Sequence, residues 1–128
     1  MLGNSQITPT IPATDIERAK KWYEEKLGLT PKEEGPEGSR YVCGDGSTFL
    51  LYNSQFAGTA QHTVASWSLD DFDSVAEALR SKGVTFEDYD LPGLKTENGI
   101  ADFEGVRAAW FKDSEGNILA IGDKPNRR

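Results

Sequence analysis

Two segments of the chain carry the same order of helix signals. In the first, Asp15 opens an amphipathic helix that runs to Leu27, and Gly28 ends it. In the second, Asp71 opens a helix that ends at Lys82-Gly83. Acidic residues cap helix N-termini, and glycine ends helices in the left-handed conformation, so both helices begin and end by the same chemistry. Such internal similarity predicts two copies of one supersecondary unit.

Short β-prone segments surround both helices, with turn residues between them. The predicted strands around the first helix are 6–13, 29–34, 40–43 and 48–52. Those around the second helix are 62–69, 84–89, a hairpin of 100–103 with 106–111, and 118–121, with a loop at 91–99. The charged run 17–26 of the first helix is expected to face solvent, and Trp22 is expected to pack in the core.

Together these patterns predict one α+β domain over residues 1–128. It consists of two tandem β-α-β-β-β modules, at about 6–54 and about 62–122, with a linker at 55–61 and an exposed tail at 123–128. Each sheet has an apolar side to bury against its helix. We expect a curved, mostly antiparallel sheet around an open cavity, with the helices outside.

The net charge limits which partners the protein is expected to bind, and the cysteine content bears on the cellular compartment. Fourteen Lys and Arg against 21 Asp and Glu give a net charge of −7. An acidic surface repels nucleic-acid phosphates and anionic lipids, so neither nucleic acid nor a membrane is an expected partner. Cys43 is the single cysteine and is expected to be a small apolar residue in a strand. With no signal-peptide pattern at the N-terminus, a cytoplasmic location is expected.

Two segments of the sequence carry a family resemblance. The first is a predicted helix that follows Ala13-Thr14-Asp15, contains Trp22-Tyr23 and closes with Leu27-Gly28-Leu29. Near the other end, 109–121 holds the turn Asp113-Ser114-Glu115-Gly116-Asn117. These segments resemble the opening and the ending of the vicinal-oxygen-chelate superfamily, which includes glyoxalase I, extradiol dioxygenases and bleomycin-binding proteins. The resemblance implies paired modules around an open cavity, commonly in a homodimer. It does not choose among the chemistries of that superfamily.

The same resemblance implies where metal ligands would stand. In metal-dependent members, the first ligand of each module lies in the strand before its helix, at the positions of Thr8 and Val64. The last ligand falls on Ala120, and its counterpart in the first module lies near Leu51 or Tyr52. A divalent ion needs several convergent His, Asp or Glu side chains, and none stands at these positions. We therefore expect no metal and no other cofactor.

His62 is the only histidine of the sequence and allows three interpretations. It is bonded to backbone or water at the start of a strand, or it acts as a general base or ligand contact, since only histidine titrates near neutral pH when unperturbed. In the third interpretation it joins Glu87 or Asp88 in a metal site unlike that of the superfamily. If the protein is an enzyme, His62 is the one residue that the sequence offers as a catalytic candidate.

Strand alternation predicts which side chains face the cavity. In the first strand Thr8, Thr10 and Pro12 face inward, while Ile7 and Ile11 support the helix. In the strand at 62–69, His62, Val64, Ser66 and Ser68 face inward, and Trp67 packs on the helix side. The predicted ligand-binding set is Thr8, Thr10, Tyr52, His62, Val64, Ser66, Trp110 and Ala120.

A face of hydroxyls, one imidazole and aromatic rings suits a planar or amphipathic small molecule. The leading interpretation is a metal-independent binding protein that sequesters such a compound, as the bleomycin-binding branch does. One alternative is a lyase or isomerase with a non-standard site around His62. Another is an interaction module whose pocket serves neither purpose. Glyoxalase I and extradiol dioxygenase activities are not expected, because they need the missing ligands.

Overall fold

Both predicted helices form, and each begins at the predicted aspartate. In the computed structural model, which describes residues 1–124, Asp15 accepts a hydrogen bond from the backbone N–H of Arg18 at 3.1 Å. Asp71 accepts one from Ser74 N–H at 3.1 Å. Gly28 adopts a φ of 70°, the left-handed conformation that ends the first helix. Neither helix has the length and apolar character needed to cross a membrane.

Two short 3₁₀ helices lie at Leu2–Asn4 and Gly44–Gly46. The described residues also form two α-helices and ten strands. In chain order they are β1 (Thr10–Ala13), α1 (Ile16–Leu27), β2 (Glu33–Gly35), β3 (Gly38–Val42), β4 (Thr48–Asn53), β5 (Thr63–Leu69), α2 (Phe72–Ser81), β6 (Asp90–Leu91), β7 (Leu94–Glu97), β8 (Ile100–Phe103), β9 (Val106–Lys112) and β10 (Ile118–Asp123).

The strands form two mixed sheets, neither of which closes into a barrel. The first sheet has the order β1-β4-β3-β2, and the second has the order β5-β10-β9-β8-β7-β6. In each sheet the strand before the helix runs parallel to the last strand of its module, and the other neighbours are antiparallel. A parallel pair requires a crossover, which the helix of each module supplies. The predicted α+β class is confirmed, with two sheets in place of one continuous sheet.

The two sheets share one core through the faces that carry the helices. Trp22 of α1 stacks on Phe111 of the second sheet at 6.3 Å between ring centroids. Its neighbour Tyr23 packs against Phe49 of the first sheet at 5.9 Å. Phe49 also meets Trp67 edge to face at 6.2 Å, which joins the sheets directly. Because the core occupies the helix side of both sheets, a single chain leaves the opposite face of each sheet uncovered.

The first strand is shorter than predicted. Sheet pairing begins at Thr10, and Ile7, predicted to support the helix, is 90% exposed. Proline has no N–H to donate, so a ladder does not extend easily through Pro9. The carbonyl of Pro9 accepts a hydrogen bond from Leu50 N–H at 2.9 Å, and pairing starts there. Of the strand predicted at 29–34, only the end pairs, as part of β2.

The prediction for 84–99 needs a larger correction. The segment 84–89 is not a strand, although Val84 and Phe86 bury their side chains. The predicted loop after it contains the hairpin β6–β7, which turns at Pro92-Gly93. Gly93 has a φ of 78°, which a Pro-Gly turn of type II requires at its third residue.

Residues 123 and 124, predicted as part of the exposed tail, are instead bonded to the second sheet. Asp123 belongs to β10, and its carboxylate accepts hydrogen bonds from the backbone N–H of Arg107 at 2.7 Å and from the Arg107 guanidinium at 3.1 Å. Lys124 N–H donates to the carbonyl of Leu69 at 3.1 Å. Residues 125–128 lie outside the described residues.

The turn between β9 and β10 ties the two modules together. The Asp113 carboxylate accepts a hydrogen bond from the Tyr23 hydroxyl at 2.7 Å. The Asn117 side-chain amide donates to the carbonyl of Pro12 at 2.7 Å, and its oxygen accepts from Gly58 N–H at 3.2 Å. Asp113 and Asn117 are 6% and 1% exposed. Breaking such a bond would leave a polar group buried without its partner, which is costly.

Glu115, in the middle of this turn, caps the first helix from across the molecule. Its carboxylate accepts hydrogen bonds from the Asp15 N–H at 2.8 Å and from two nitrogens of the Arg18 guanidinium, at 2.8 and 3.0 Å. Burial alone would raise the pKa of Glu115. The hydrogen bonds from Arg18, Asp15 and Ser114 overcome that effect and lower this pKa to about 2.

We predict that stability falls in acid because Glu115 must be protonated. Its folded-state pKa of about 2 lies below the ordinary value of 4.5, so its contribution is complete above the ordinary value and is lost as pH falls toward 2. Urea unfolding of Glu115→Gln should show a loss of about 2 kcal/mol at neutral pH, typical of a buried charged hydrogen bond, and a shallower decline in acid. The exposed Glu77→Gln serves as control and should match the parent. An unchanged acid profile in Glu115→Gln would contradict the assignment.

Candidate functional site

The uncovered face of the second sheet brings three of the predicted ligand-binding residues into one row. The central strand β10 pairs with β5 and β9, so Ala120 lies opposite Ser66 on one side and opposite Trp110 on the other. Directly paired residues project from the same face of a sheet. Ala120 is 7% exposed, Trp110 is half-buried and Ser66 is exposed.

A pocket of about 320 Å³ opens on this face beside Trp110. Its lining residues are Gln61, His62, Thr63, Tyr89, Leu91, Leu94, Trp110 and Ile118. The Trp110 and Tyr89 rings meet edge to face, with centroids 5.6 Å apart and planes at 82°. Two perpendicular rings make a corner in which a flat molecule can stack on one ring and present its own edge to the face of the other.

Hydrogen bonds fix the Trp110 ring in this corner. Its indole Nε1–H donates to the hydroxyl of Thr63 at 3.1 Å, which satisfies the polar group of an otherwise apolar side chain. The carbonyl of Trp110 accepts from the N–H of Glu87 at 2.8 Å. That bond holds the segment 84–89 beside β9 and delivers Tyr89 to the pocket.

Tyr89 is held by the first strand of the β7–β8 hairpin. Its N–H donates to the Thr96 hydroxyl at 2.8 Å, and its carbonyl accepts from Thr96 N–H at 2.9 Å. Burial raises the pKa of the Tyr89 hydroxyl, and the nearby carboxylate of Glu87 raises it further. The hydroxyl therefore stays protonated at physiological pH and can donate a hydrogen bond to a ligand.

His62 stands exposed at the wall of the pocket, immediately before β5. Its Nδ1 lies 2.9 Å from the carbonyl of Thr63, so the tautomer protonated at Nδ1 donates a hydrogen bond there. This contact is the backbone bond of the first interpretation given above. A role as general base stays a prediction.

Thr10 and Tyr52 belong to the other uncovered face, and Thr8 stands before its first strand. Thr10 pairs with Leu50, and Tyr52 pairs with Pro12, so these side chains project from the first sheet away from the core. Thr8 precedes β1 and is half-buried. None of the three is part of the pocket lining beside Trp110 in the described chain.

The predicted orientation of Val64 is corrected by a shift in strand register. Thr63 pairs with Ile118 and Ala65 with Leu119, which leaves Val64 as an extra residue in β5. Val64 packs against the core together with Ala65. The extra residue reverses which face each earlier side chain of the strand points to. Thr63 therefore lies on the uncovered face, where Val64 was expected.

The sequence prediction included two of the eight lining residues, His62 and Trp110, and missed the other six, which are Gln61, Thr63, Tyr89, Leu91, Leu94 and Ile118. The position of Thr63 depends on the register shift in β5, and no residue near Thr63 indicates that shift in the sequence. The Pro92-Gly93 dipeptide is a turn signal between Leu91 and Leu94 that predicts the missed hairpin.

The residues at the implied metal positions do not fit a metal. Thr8 offers one hydroxyl, Val64 packs in the core, Ala120 offers a methyl group and Leu51 is fully buried in the core. Nowhere in 1–124 do three His, Cys, Asp or Glu side chains converge as a metal site requires.

The carboxylates of the alternative metal site are engaged elsewhere. Asp88 accepts hydrogen bonds from the Thr96 hydroxyl at 2.9 Å and from Gly99 N–H at 2.8 Å. Glu87 forms an ion pair with Lys112 at 3.6 Å. These contacts do not direct either carboxylate to His62.

Comparison with known proteins agrees with this geometry. A family model described as the Glyoxalase/Bleomycin resistance protein/Dioxygenase superfamily matches residues 6–121. A bleomycin resistance determinant encoded on the transposon Tn5 is similar in structure, with a TM-score of 0.72 at 18% identity, over 96% of this chain and 100% of that one. An antibiotic-binding protein from Streptomyces sp. CB03234 has a TM-score of 0.68 at 20% identity, over 95% and 98% of the two chains.

A glyoxalase/bleomycin resistance protein from Catenulispora acidiphila DSM 44928 has a TM-score of 0.67 at 21% identity, over 94% of this chain and 98% of that one. At such identities these similarities show a shared fold. No curated protein sequence matches the chain.

We predict that protein purified without an affinity tag holds far less than one Zn, Ni, Fe or Mn per chain, measured by plasma mass spectrometry. The reason is that the side chains at Thr8, Val64 and Ala120 supply no convergent ligand set. Dialysis against each metal, and separately against EDTA, should leave the midpoint of thermal unfolding unchanged. A near-stoichiometric metal, or a midpoint that EDTA lowers, would overturn the prediction.

Proposed function

The chain belongs to the Glyoxalase/Bleomycin resistance protein/Dioxygenase superfamily, and from that membership we propose that it binds a small aromatic or amphipathic molecule without a metal. The pocket beside Trp110 is the observation on which this proposal rests. Its volume of about 320 Å³ lies within the usual range for small-molecule sites. The function proposed is sequestration of the compound, without turnover.

The chemistry of the pocket supports an aromatic ligand with polar substituents. The Trp110–Tyr89 corner offers one ring face for stacking and one for an edge contact, and aromatic pairs add about 0.5–1.5 kcal/mol each beyond the area they bury. Leu91, Leu94 and Ile118 supply the aliphatic part of the wall. The Tyr89 hydroxyl and the His62 imidazole provide polar groups that orient the bound molecule.

The described relatives support sequestration as the purpose. One solved neighbour is an antibiotic-binding protein, and another is a bleomycin resistance determinant. Aromatic antibiotics are therefore the first compounds to test, and resistance is the cellular role proposed.

A homodimer is part of the proposal, because both uncovered sheet faces carry exposed apolar side chains that a partner would bury. On the first sheet, Leu50 and Tyr52 project outward beside Val42, which is 44% exposed. Phe103 and Val106 on the second sheet are 45% and 36% exposed. We propose that a second copy covers these faces. The first sheet, with Thr10 and Tyr52, would then complete the wall opposite Trp110.

The proposed location is the cytoplasm, where the single free thiol of Cys43 would stay reduced. A net charge of −7 supports a partner other than nucleic acid or an anionic membrane.

We predict that a thermal-shift screen of aromatic antibiotics and metabolites finds a compound that raises the unfolding midpoint. In calorimetric titration with that compound, Trp110→Ala should weaken binding by about tenfold or more, as loss of a central aromatic contact does. Phe56→Ala is the matched control, since Phe56 is 66% exposed and stands outside the pocket. Equal affinity in Trp110→Ala and the parent would refute the site.

The same compound separates binding from catalysis. After prolonged incubation with the protein, mass spectrometry should recover it unchanged. Conversion to a product that stops in His62→Ala, with binding retained, would establish the lyase or isomerase alternative in place of sequestration.

We predict that the protein sediments as a dimer and that Leu50→Asp shifts it to monomer. A carboxylate at this position would have to be desolvated between the two copies, which is unfavourable without a partner charge. Ala78→Asp on the exposed side of α2 is the control and should remain dimeric. A monomeric parent protein at micromolar concentration would contradict the proposed assembly.

A further inference from the structure

An apolar cavity of about 260 Å³, open to solvent on one side, lies between the two helices, the second sheet and the segment that follows β3. Its lining residues are Leu27, Leu29, Cys43, Gly44, Trp67, Leu69, Val75, Leu79, Phe111 and Ile121. The Lys26 ammonium donates to the carbonyl of Lys82 at 2.5 Å, which ties the end of α1 to the end of α2 at this place.

The cavity is separate from the pocket beside Trp110. Both use β9 and β10, but they use alternate residues: Trp110 faces the uncovered side, whereas Phe111 faces the core. In the same way Ala120 belongs to the uncovered face, and Ile121 belongs to the core cluster. The body of the second sheet therefore stands between the two spaces.

The lining determines what the cavity can hold. None of its lining residues has a charged side chain. Apart from the Trp67 indole, the Cys43 thiol is the only polar side-chain group among them. Water against these apolar walls finds few polar partners, so an apolar ligand that displaces it gains the hydrophobic free energy of the buried surface. A ligand that fits also supplies dispersion contacts to the walls. The Trp67 and Phe111 rings offer flat surfaces for such contacts.

We propose that this cavity is a second binding site, which takes a neutral aromatic molecule of one or two rings. A charged or strongly polar compound would lose its hydration without gaining a partner. The site is independent of the function proposed for the pocket beside Trp110, because it shares no lining residue with that pocket.

Toluene is the probe, and methyl NMR of the full-length protein is the measurement. Saturable shift changes are expected at the methyl groups of Leu27, Leu29, Val75, Leu79 and Ile121. Val75→Phe places a ring inside the cavity and should weaken toluene binding by about tenfold or more, in proportion to the volume it fills. The control Ala78→Phe adds a ring on the exposed side of α2, outside the cavity and the proposed dimer faces, and should bind toluene as the parent does.

Two further variants keep the test decisive. If Val75→Phe loses its dispersed methyl spectrum, Cys43→Leu fills the same space with a smaller change. Trp110→Ala should leave toluene affinity unchanged, so failure of the proposed function and failure of this site are distinguishable. Shift changes that do not saturate, that map to the Trp110 face, or that persist with full affinity in a folded cavity-filled variant would overturn the proposal.

Discussion

The placement of the two sheets depends on one polar turn buried between them. The hydrogen bonds of Asp113 and Asn117 to the first module join residues 90 and 105 positions apart in sequence. Aromatic packing drives the modules together, but it tolerates several similar arrangements. Directional bonds from buried groups do not, because any other arrangement leaves a carboxylate or an amide unsatisfied. The turn thus determines which sheet faces are covered and which remain available for binding.

Features with local causes were predictable from the sequence. The ends of α1 follow from Asp15 and Gly28, whose side-chain and backbone preferences act within a few residues. The same reasoning located α2 and the hairpin of β8 and β9. Thr10 and Ser66 also lie on uncovered faces, as simple alternation predicts. In each case the deciding interaction is encoded close to the residue it places.

Features that depend on distant partners were not predictable in this way. The bulge at Val64 arises from pairing with β10, far along the chain, and no residue of β5 signals it. Arg18 stands in a charged run that appeared fully solvated, yet its guanidinium reaches the buried carboxylate of Glu115. Tyr89 enters the pocket because Glu87 bonds to β9 and because Thr96 holds the backbone of Tyr89 itself. Most of these contacts are long-range, and a pattern of residue types carries no record of their geometry.

The alternation of residues along β9 and β10 has an evolutionary consequence. Trp110 and Ala120 project from the uncovered face, while their neighbours Phe111 and Ile121 pack in the core. Substitutions on the uncovered face remove few core contacts, so most should cost little folding free energy. A lineage can therefore change the chemistry of this face one residue at a time without passing through an unfolded ancestor. Because side chains alternate along each strand, one side of the sheet tolerates substitution while the other side must keep its packing. Surface chemistry can therefore change on one side of a strand without altering the fold that the other side maintains.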